Sequence, residues 1–251
     1  MNADLSDIFQ LQTLSSDVVL NLLASGTIKI IDRFPWGSNY VFLTEIKKDG
    51  VTLTAVYKPA RGERPLWDFA RGTLAAREYA AYLISELLEW NIVPATVLRE
   101  QGPLGYGSVQ IYVDTDRHHH YFSFSEQEKE KLRPLAVFDL VINNADRKGG
   151  HILMGTDGQV WSIDHGISFH EEPKLRTVLW DFSDQAIPDS LLADLRRLHS
   201  SLGNLDSPHQ ELHELISASE FGALRKRTKH IIKSGQFPRP TSQRSYPWPL
   251  I

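Results

Sequence analysis

Hydrophobic and polar residues follow two different patterns along the first part of the chain, one typical of helices and one typical of strands. Residues 5–24 carry apolar side chains at helical spacing, which predicts one or two short helices. From Thr27 the pattern changes to short runs rich in β-branched and aromatic residues, and Asp49-Gly50 between two of these runs is a strong hairpin-turn signal. We therefore predict an antiparallel sheet over residues 27–59.

A longer helix is predicted after this sheet. The run TLAAREYAAYLISELLEW carries apolar side chains at positions i, i+3, i+4, i+7 and i+8 from Ala80, so one face of the helix is expected to pack on a core. Glu78 lies off the centre of that face. The run from Ser108 to Val113 predicts a strand, and the polar residues after it mark the boundary that we expect between two lobes, residues 1–113 and 114–251.

The second lobe is predicted to be mainly helical. Ser125 with Glu128 forms a capping-box pattern, and Pro134 stands where a first helical turn is typical. HILM and QVWSID predict two short strands joined by Gly155-Thr-Asp-Gly158 as a small hairpin. The pattern from Ile187 to Gly235 is mostly helical, and the proline-rich residues after it predict an extended or packed strap. The expected fold class is therefore α+β.

Composition and charge narrow the possible functions. The 251 residues are 41% hydrophobic, which is enough for a substantial core. Lys and Arg total 27 against 31 for Asp and Glu, and because a chain that binds phosphate backbones is normally basic, we do not expect nucleic acid as a partner. The absence of cysteine excludes disulfides, Cys-ligated zinc and a thiol nucleophile.

The apolar segments of the sequence show neither a secretory signal nor a transmembrane helix. The first residues carry two early acids and no basic region before an apolar run, so they do not predict a secretory signal. No apolar stretch approaches the roughly 20 residues that a transmembrane helix needs. We therefore expect no transmembrane segment, and because the chain has no cysteine for disulfides we expect a cytoplasmic protein.

Two carboxylates flank the hairpin that is predicted in the second lobe. Asp146 precedes it in NNADRKGGHIL and Asp164 follows it in IDHG, so the hairpin is expected to bring these acids together. Such a pair suits phosphoryl transfer, in which one Asp orients the attacking oxygen and the other holds a metal on the nucleotide phosphates. Lys148 can neutralise charge on the transferred group. Upstream, Lys58 ends a strand and Glu78 follows on a helix, as in the lysine–glutamate pair of kinases.

This order of elements and residues resembles the protein-kinase-like superfamily. It is most similar to the atypical phosphatidylinositol 3-/4-kinase-like and HipA-like branches, and NADRKGGHIL, which resembles D-R-x-x-x-N followed by a strand, is the most specific part. The segments VYKPARGERPLWDF, GTLAAREYAAYLISELL and YPWPLI also resemble an uncharacterised bacterial family of phosphatidylinositol kinase-like proteins. The resemblance covers nearly the whole chain and implies a two-lobed protein-kinase-like fold with an antiparallel sheet and helix in the first lobe and a mainly helical second lobe with a catalytic hairpin.

The resemblance implies ATP with Mg²⁺ or Mn²⁺ as cofactors, and a role for each site residue. Asp146 is the implied catalytic Asp, Lys148 contacts the γ-phosphate and Asp164 holds the metal. Lys58 contacts the α- and β-phosphates and pairs with Glu78. Further nucleotide contacts are implied at a phosphate-covering turn and, through backbone groups, at an adenine-binding hinge. These residues are Ser38 and Asn39 at the turn, and Gln110, Ile111, Tyr112 and Val113 at the hinge.

The chain departs from the family pattern at two positions. His151 stands where a metal-binding Asn is expected, and because imidazole favours Mn²⁺, Zn²⁺ or Fe²⁺ over Mg²⁺, we expect His151 to be a metal ligand that supports Mn²⁺. Ala145 replaces the Arg of the H-R-D motif, which argues against control by activation-loop phosphorylation.

The residues lead to one main hypothesis and several alternatives. The main one is a kinase that transfers the γ-phosphoryl group of ATP to a hydroxyl of a small metabolite or a protein, with the acceptor unidentified. The alternatives are a nucleotide-binding pseudokinase or scaffold, and an enzyme that transfers AMP on the same fold. A hydrolytic metal centre lacks the H-E-x-x-H spacing that would support it. Its candidate ligands are His151, His165, His170 and Glu171.

Three further features of the sequence can each be explained either by a binding role or by a purely structural or solvent-exposed one. The run His118-His119-His120 is expected to be a solvated loop rather than a metal site. Arg225, Arg227, Lys229 and Lys233 form a basic run that would suit an anionic lipid or substrate, although such runs are more often solvated faces. Trp67 and Asp68 either close over substrate or, for the Trp, anchor the core.

Overall fold

The computed structural model describes residues 14–35, 39–116, 118–155, 157–204 and 208–251. The chain divides into two units: Met1–Tyr79 with Pro94–Tyr112, and Ala80–Val93 with Val113–Ile251. Within the described ranges, no helix is long and apolar enough to cross a membrane.

The first unit is built on an antiparallel sheet. Helix α1 precedes strands whose spatial order is β1-β2-β3-β5-β4. The hairpin predicted at Asp49-Gly50 is confirmed: these residues have φ values of 51° and 79°, the left-handed conformation that tight hairpin turns require. Strand β4 has four residues and was not identified from the sequence. The elements are α1 (Ser16–Ser25), β1 (Thr27–Arg33), β2 (Phe42–Lys48), β3 (Val51–Pro59), β4 (Thr96–Arg99) and β5 (Gly107–Ile111).

Strand β3 has one buried face. Leu53, Ala55 and Tyr57 are buried, and they belong to a hydrophobic cluster that also contains Leu22 and Leu23 of α1. Side chains of neighbouring strand residues point to opposite faces of the sheet. Lys58 therefore projects away from this core.

The second unit is mainly helical with one small hairpin. Helix α2 (Leu74–Leu87) begins in the first unit and continues in the second, and helix α7 packs against α4 and α5. The predicted capping box is confirmed, since Ser125 and Glu128 exchange hydrogen bonds between side chain and backbone. The remaining elements are α3 (Glu126–Glu130), α4 (Arg133–Ile142), β6 (Ile152–Met154), β7 (Val160–Ser162), α5 (Asp189–Ser201), α6 (Pro208–Leu215) and α7 (Ala218–Ser234). The α+β class is confirmed.

Candidate functional site

The first unit brings Lys58 and Glu78 together. Lys58 is the penultimate residue of β3, and Glu78 lies in the second turn of α2. The Lys58 ammonium forms an ion pair with the Glu78 carboxylate, whose side chain is almost fully buried. Since a buried carboxylate requires a compensating charge, this pair holds the ammonium group in one direction at the end of the strand.

Of the two residues predicted at the phosphate-covering turn, Asn39 forms a hydrogen bond within the protein and Ser38 lies outside the described residues. The Asn39 carbonyl oxygen accepts a hydrogen bond from the Arg64 backbone N–H at 2.7 Å, so this side chain joins two loops. Ser38 is not among the described residues. This bond engages the side-chain oxygen of Asn39, so a nucleotide contact at this residue would come from its side-chain NH2 group or its backbone.

The predicted hinge residues are partly committed to the sheet. The buried Gln110 side chain donates to the Thr96 hydroxyl at 2.8 Å. The backbone N–H groups of Ile111 and Tyr112 donate to the carbonyls of Ala95 and Thr54, at 2.9 and 3.0 Å. The sheet therefore uses both of these donors, and adenine binding by this segment stays a prediction that would rely on its other backbone groups. Val113 is the first residue of this segment that belongs to the second unit.

The second unit places Asp146 and Lys148 in one short loop between α4 and β6, which we call the catalytic loop (residues 144–151) after the role predicted for Asp146 from the sequence. Lys148 Nζ lies 3.2 Å from Asp146 Oδ2, and the two side chains are 20% and 27% exposed. Burial raises the pKa of Asp146 to about 6; Lys148 opposes this shift and the nearby Asp164 carboxylate adds to it. A carboxylate with a pKa near neutrality can accept a proton from a substrate hydroxyl.

His151 and Asp164 meet beside this loop. His151 Nε2 lies 3.3 Å from Asp164 Oδ2, and the Lys148 backbone N–H donates to His151 Nδ1 at 3.4 Å, which directs Nε2 towards the acid. Asp164 adopts a left-handed φ of 63°. Two ligands at right angles and about 2.1 Å from one ion are about 3 Å apart, so this nitrogen–oxygen pair fits one divalent ion. Within the described residues no cluster of three or more His, Cys, Asp or Glu side chains adds further ligands.

A buried ion pair supports this site and was missed from the sequence. Arg147 is fully buried, and its guanidinium contacts the equally buried Asp139 of α4 at 3.0 Å. Arg147 Nη1 also donates to the carbonyl oxygen of Ile163, the residue before Asp164, at 2.7 Å. This guanidinium therefore ties the catalytic loop to the backbone beside Asp164. The available signal was an Asp inside the apolar run AVFDLVI.

Asp139 is the centre of a wider network. It accepts hydrogen bonds from Asn144 Nδ2 at 3.1 Å and from the Thr177 hydroxyl at 3.2 Å. Asn144 Oδ1 in turn accepts from the Asp146 backbone N–H at 2.9 Å. The position of Asp146 is thus set by a chain of buried bonds that begins in α4.

The other histidines have separate contacts. His119 contacts Glu128 at 2.8 Å, whereas His120 Nδ1 accepts from the Phe122 backbone N–H. His165 is buried against the Ser162 hydroxyl, and His170 accepts from the Glu172 backbone N–H. These contacts and the lack of a ligand cluster among the described residues do not support a hydrolytic metal centre.

Two further sequence interpretations are resolved by burial. Trp67 is 91% exposed, so it is not a core anchor.

The basic run of α7 is divided between two sides of the helix. Arg227 is half-buried and donates to the backbone carbonyls of Val141 and His170, whereas Arg225, Lys229 and Lys233 are exposed.

Comparison with known proteins identifies relatives over most of the chain. A family model described as phosphatidylinositol 3- and 4-kinase matches residues 72–221. The protein Rv2133c of Mycobacterium tuberculosis is 40% identical, over 92% of this chain and 94% of the relative. The phosphatidylinositol 4-kinase gamma 4 of Oryza sativa subsp. japonica is 27% identical, over 64% of this chain and 30% of that protein.

Solved structures show the same fold at low sequence identity. A crystal structure of the Golgi casein kinase with Mn and ADP bound is 17% identical, with a TM-score of 0.52 over 87% of this chain and 74% of that chain. A second structure of the Golgi casein kinase has a TM-score of 0.50 over 93% of this chain and 75% of that chain, at 15% identity. The predicted protein-kinase-like fold is confirmed, and the chain belongs to the phosphatidylinositol 3- and 4-kinase family.

Proposed function

We propose that the protein is an ATP-dependent phosphotransferase that moves the γ-phosphoryl group to a hydroxyl of a small metabolite or a protein. The observation that carries this proposal is the grouping of Asp146, Lys148, His151 and Asp164 at one loop and one hairpin of the second unit. Family membership supports the reaction class. The Mn and ADP bound to the Golgi casein kinase support nucleotide and divalent metal as its cofactors.

Asp146 is the proposed acceptor of the hydroxyl proton. The hydroxyl oxygen forms a bond to the γ-phosphorus as the bond from that phosphorus to the β–γ bridging oxygen breaks, so ADP leaves and the proton passes to the Asp146 carboxylate. The partial burial of Asp146 suits this step, because it raises the pKa of the acid towards that of a base useful at neutral pH. The Lys148 ammonium stabilises negative charge on the transferred oxygens.

Residues of the first unit are proposed to bind the nucleotide. Lys58, held by Glu78, would contact the α- and β-phosphates. Ser38 and the backbone of Asn39 would cover the phosphates. Adenine would be bound through Val113 and through hinge groups other than the N–H donors of Ile111 and Tyr112, since the sheet uses those.

Asp164 and His151 are the residues that would hold the divalent ion. Their oxygen and nitrogen donors suit Mn²⁺, and the ion would supply positive charge that offsets the phosphates. With these two protein ligands, phosphate oxygens and water would supply the remaining ligands, as is usual at nucleotide sites.

The first test is calorimetric titration of the protein with ATP in Mg²⁺, in Mn²⁺ and in EDTA, followed by measurement of ADP formation. We expect micromolar binding that depends on the metal, and slow ADP formation that an acceptor stimulates. Failure to bind ATP under all three conditions would favour a scaffold. Mass spectrometry that finds AMP rather than phosphate on the protein or acceptor would favour nucleotidyl transfer.

The metal preference gives a prediction at His151. We expect the wild-type protein to form ADP faster with Mn²⁺ than with Mg²⁺, and His151→Asn to lower this ratio by roughly tenfold, because an amide oxygen replaces an imidazole ligand. Initial rates at saturating ATP in each metal measure the ratio. His230→Asn, at an exposed position on α7, is the matched control. Equal rates with the two metals in both wild type and His151→Asn would contradict this role.

A further inference from the structure

Residues 241–251 form an ordered segment, here called the strap, that contacts the catalytic loop. The Leu250 carbonyl accepts a hydrogen bond from the Gly149 backbone N–H at 2.8 Å. The Ser245 carbonyl accepts from the Thr177 backbone N–H at 3.1 Å and from Trp180 Nε1 at 3.3 Å. The strap therefore contacts both the loop that carries Lys148 and the segment that follows the hairpin.

These contacts close a ring of main-chain hydrogen bonds around the loop. The Arg147 backbone N–H donates to the Arg176 carbonyl at 2.9 Å, and the Val178 N–H donates to the Arg147 carbonyl at 3.1 Å. The loop is thus bonded directly to residues 176–178, and it is bonded to them again through the strap. Because each of these bonds limits the movement of the loop, the ring restrains Gly149 more than one contact would.

Gly149 fits this position because it has no side chain. A Cβ atom there would lie 2.8 Å from Phe122 Cε2 and 3.5 Å from the Leu250 carbonyl oxygen. The neighbouring Gly150 approaches the Ile251 side chain, with 3.7 Å between a built Cβ and Ile251 Cγ2. The loop is therefore enclosed at Gly149, one residue after Lys148 and two before His151.

The strap leaves the proposed reacting groups accessible. Asp146 and Lys148 keep about a quarter and a fifth of their side-chain surface exposed with the strap in place. Across the part of the chain that the structure describes, no hydrogen bond or ion pair joins the strap to either side chain. The strap contacts the backbone of the loop, so it can hold the loop in place without covering these side chains.

We propose that the strap positions the catalytic loop, with the Leu250 carbonyl holding Gly149 and thereby setting the directions of Lys148 and His151. This inference rests on the proposed function. It makes residues 245–250 positioning residues for phosphoryl transfer, which act through the loop backbone and touch neither substrate nor metal.

A variant without residues 247–251 tests the strap directly. We expect kcat for ADP formation to fall at least about tenfold, which corresponds to about 1.4 kcal/mol, while the Kd for ATP changes less than about twofold. Hydrogen exchange at the Gly149 amide should accelerate by a similar factor, and a synthetic peptide of residues 244–251 should restore part of kcat. Arg244→Ala, an exposed side chain of the same segment, should match wild type.

A second pair of variants covers the case in which the shortened chain does not fold. Gly149→Ala forces a methyl group against Phe122 and should lower kcat, and Phe122→Ala in the same chain should recover it. Unchanged exchange at Gly149, or equal or higher kcat, in the variant without residues 247–251 would overturn the proposal. If the full chain forms no ADP at all, the proposed function fails on its own, and exchange at Gly149 still decides whether the strap holds the loop.

Discussion

Asp146→Asn is expected to lower ADP formation by about 10²- to 10⁴-fold while ATP binding with metal stays within about threefold of wild type. The amide keeps the shape of the side chain but cannot accept the hydroxyl proton. The 27% exposure of Asp146 and its contact with Lys148 are consistent with a group that meets an incoming acceptor. Single-turnover kinetics together with calorimetry separate the loss of chemistry from the loss of binding.

Asp164→Asn should weaken ATP binding, whereas Asp146→Asn should leave ATP binding nearly unchanged. We expect metal-dependent ATP binding to weaken by at least about tenfold, since one of the two proposed metal ligands loses its charge. Binding in EDTA should not change. Asp157→Asn, in the exposed turn between β6 and β7, is a control that should leave both quantities at the wild-type level. Equal loss of binding in the Asp146 and Asp164 variants would contradict the separate roles proposed for these acids.

Arg147→Met is expected to lower the free energy of unfolding by about 3–5 kcal/mol. The substitution leaves the Asp139 carboxylate buried without its cation, and it removes the donor to the Ile163 carbonyl. Urea unfolding followed by circular dichroism measures this loss. The double variant Asp139→Leu/Arg147→Met should recover more than half of it, because the charge that was left unpaired is also gone.

The matched control for Arg147 is an ion pair at the surface. Arg197 and Asp194 approach to 2.7 Å on α5, but more than half of the Arg197 side chain is exposed. Arg197→Met should therefore cost less than about 1 kcal/mol. Similar losses for Arg147→Met and Arg197→Met would contradict the prediction that the buried Arg147–Asp139 pair contributes more to the free energy of unfolding than the exposed pair.

Local patterns were sufficient wherever neighbouring residues determine the structure. The Asp49-Gly50 turn, the Ser125–Glu128 capping box and the short hairpin before Asp164 each depend on contacts within a few residues, and all three were predicted. The four-residue strand β4 was not, because so short a segment is stabilised by pairing with β5 rather than by its own composition.

Long-range contacts account for what local patterns did not reveal. The N–H groups of Ile111 and Tyr112 lie in the segment predicted to bind adenine, and they donate to the carbonyls of Ala95 and Thr54, which are distant in sequence. The exposure of Trp67 likewise depends on whether other elements pack against its loop. An aromatic residue among turn-forming residues does not indicate whether such packing occurs.

The sequence by itself determined the α+β class, the resemblance to the family, and the order of the candidate site residues Lys58, Glu78, Asp146, Lys148 and Asp164. These are properties of periodicity and motif spacing, which a chain carries before it folds. Only the tertiary structure decided that Asp139 and Arg147 form a buried ion pair beside the loop, that His151 faces Asp164, and that Phe122 and the Leu250 carbonyl enclose Gly149. The physical reason is that burial and hydrogen-bond partnership are set by residues far apart in sequence, so no local pattern encodes them.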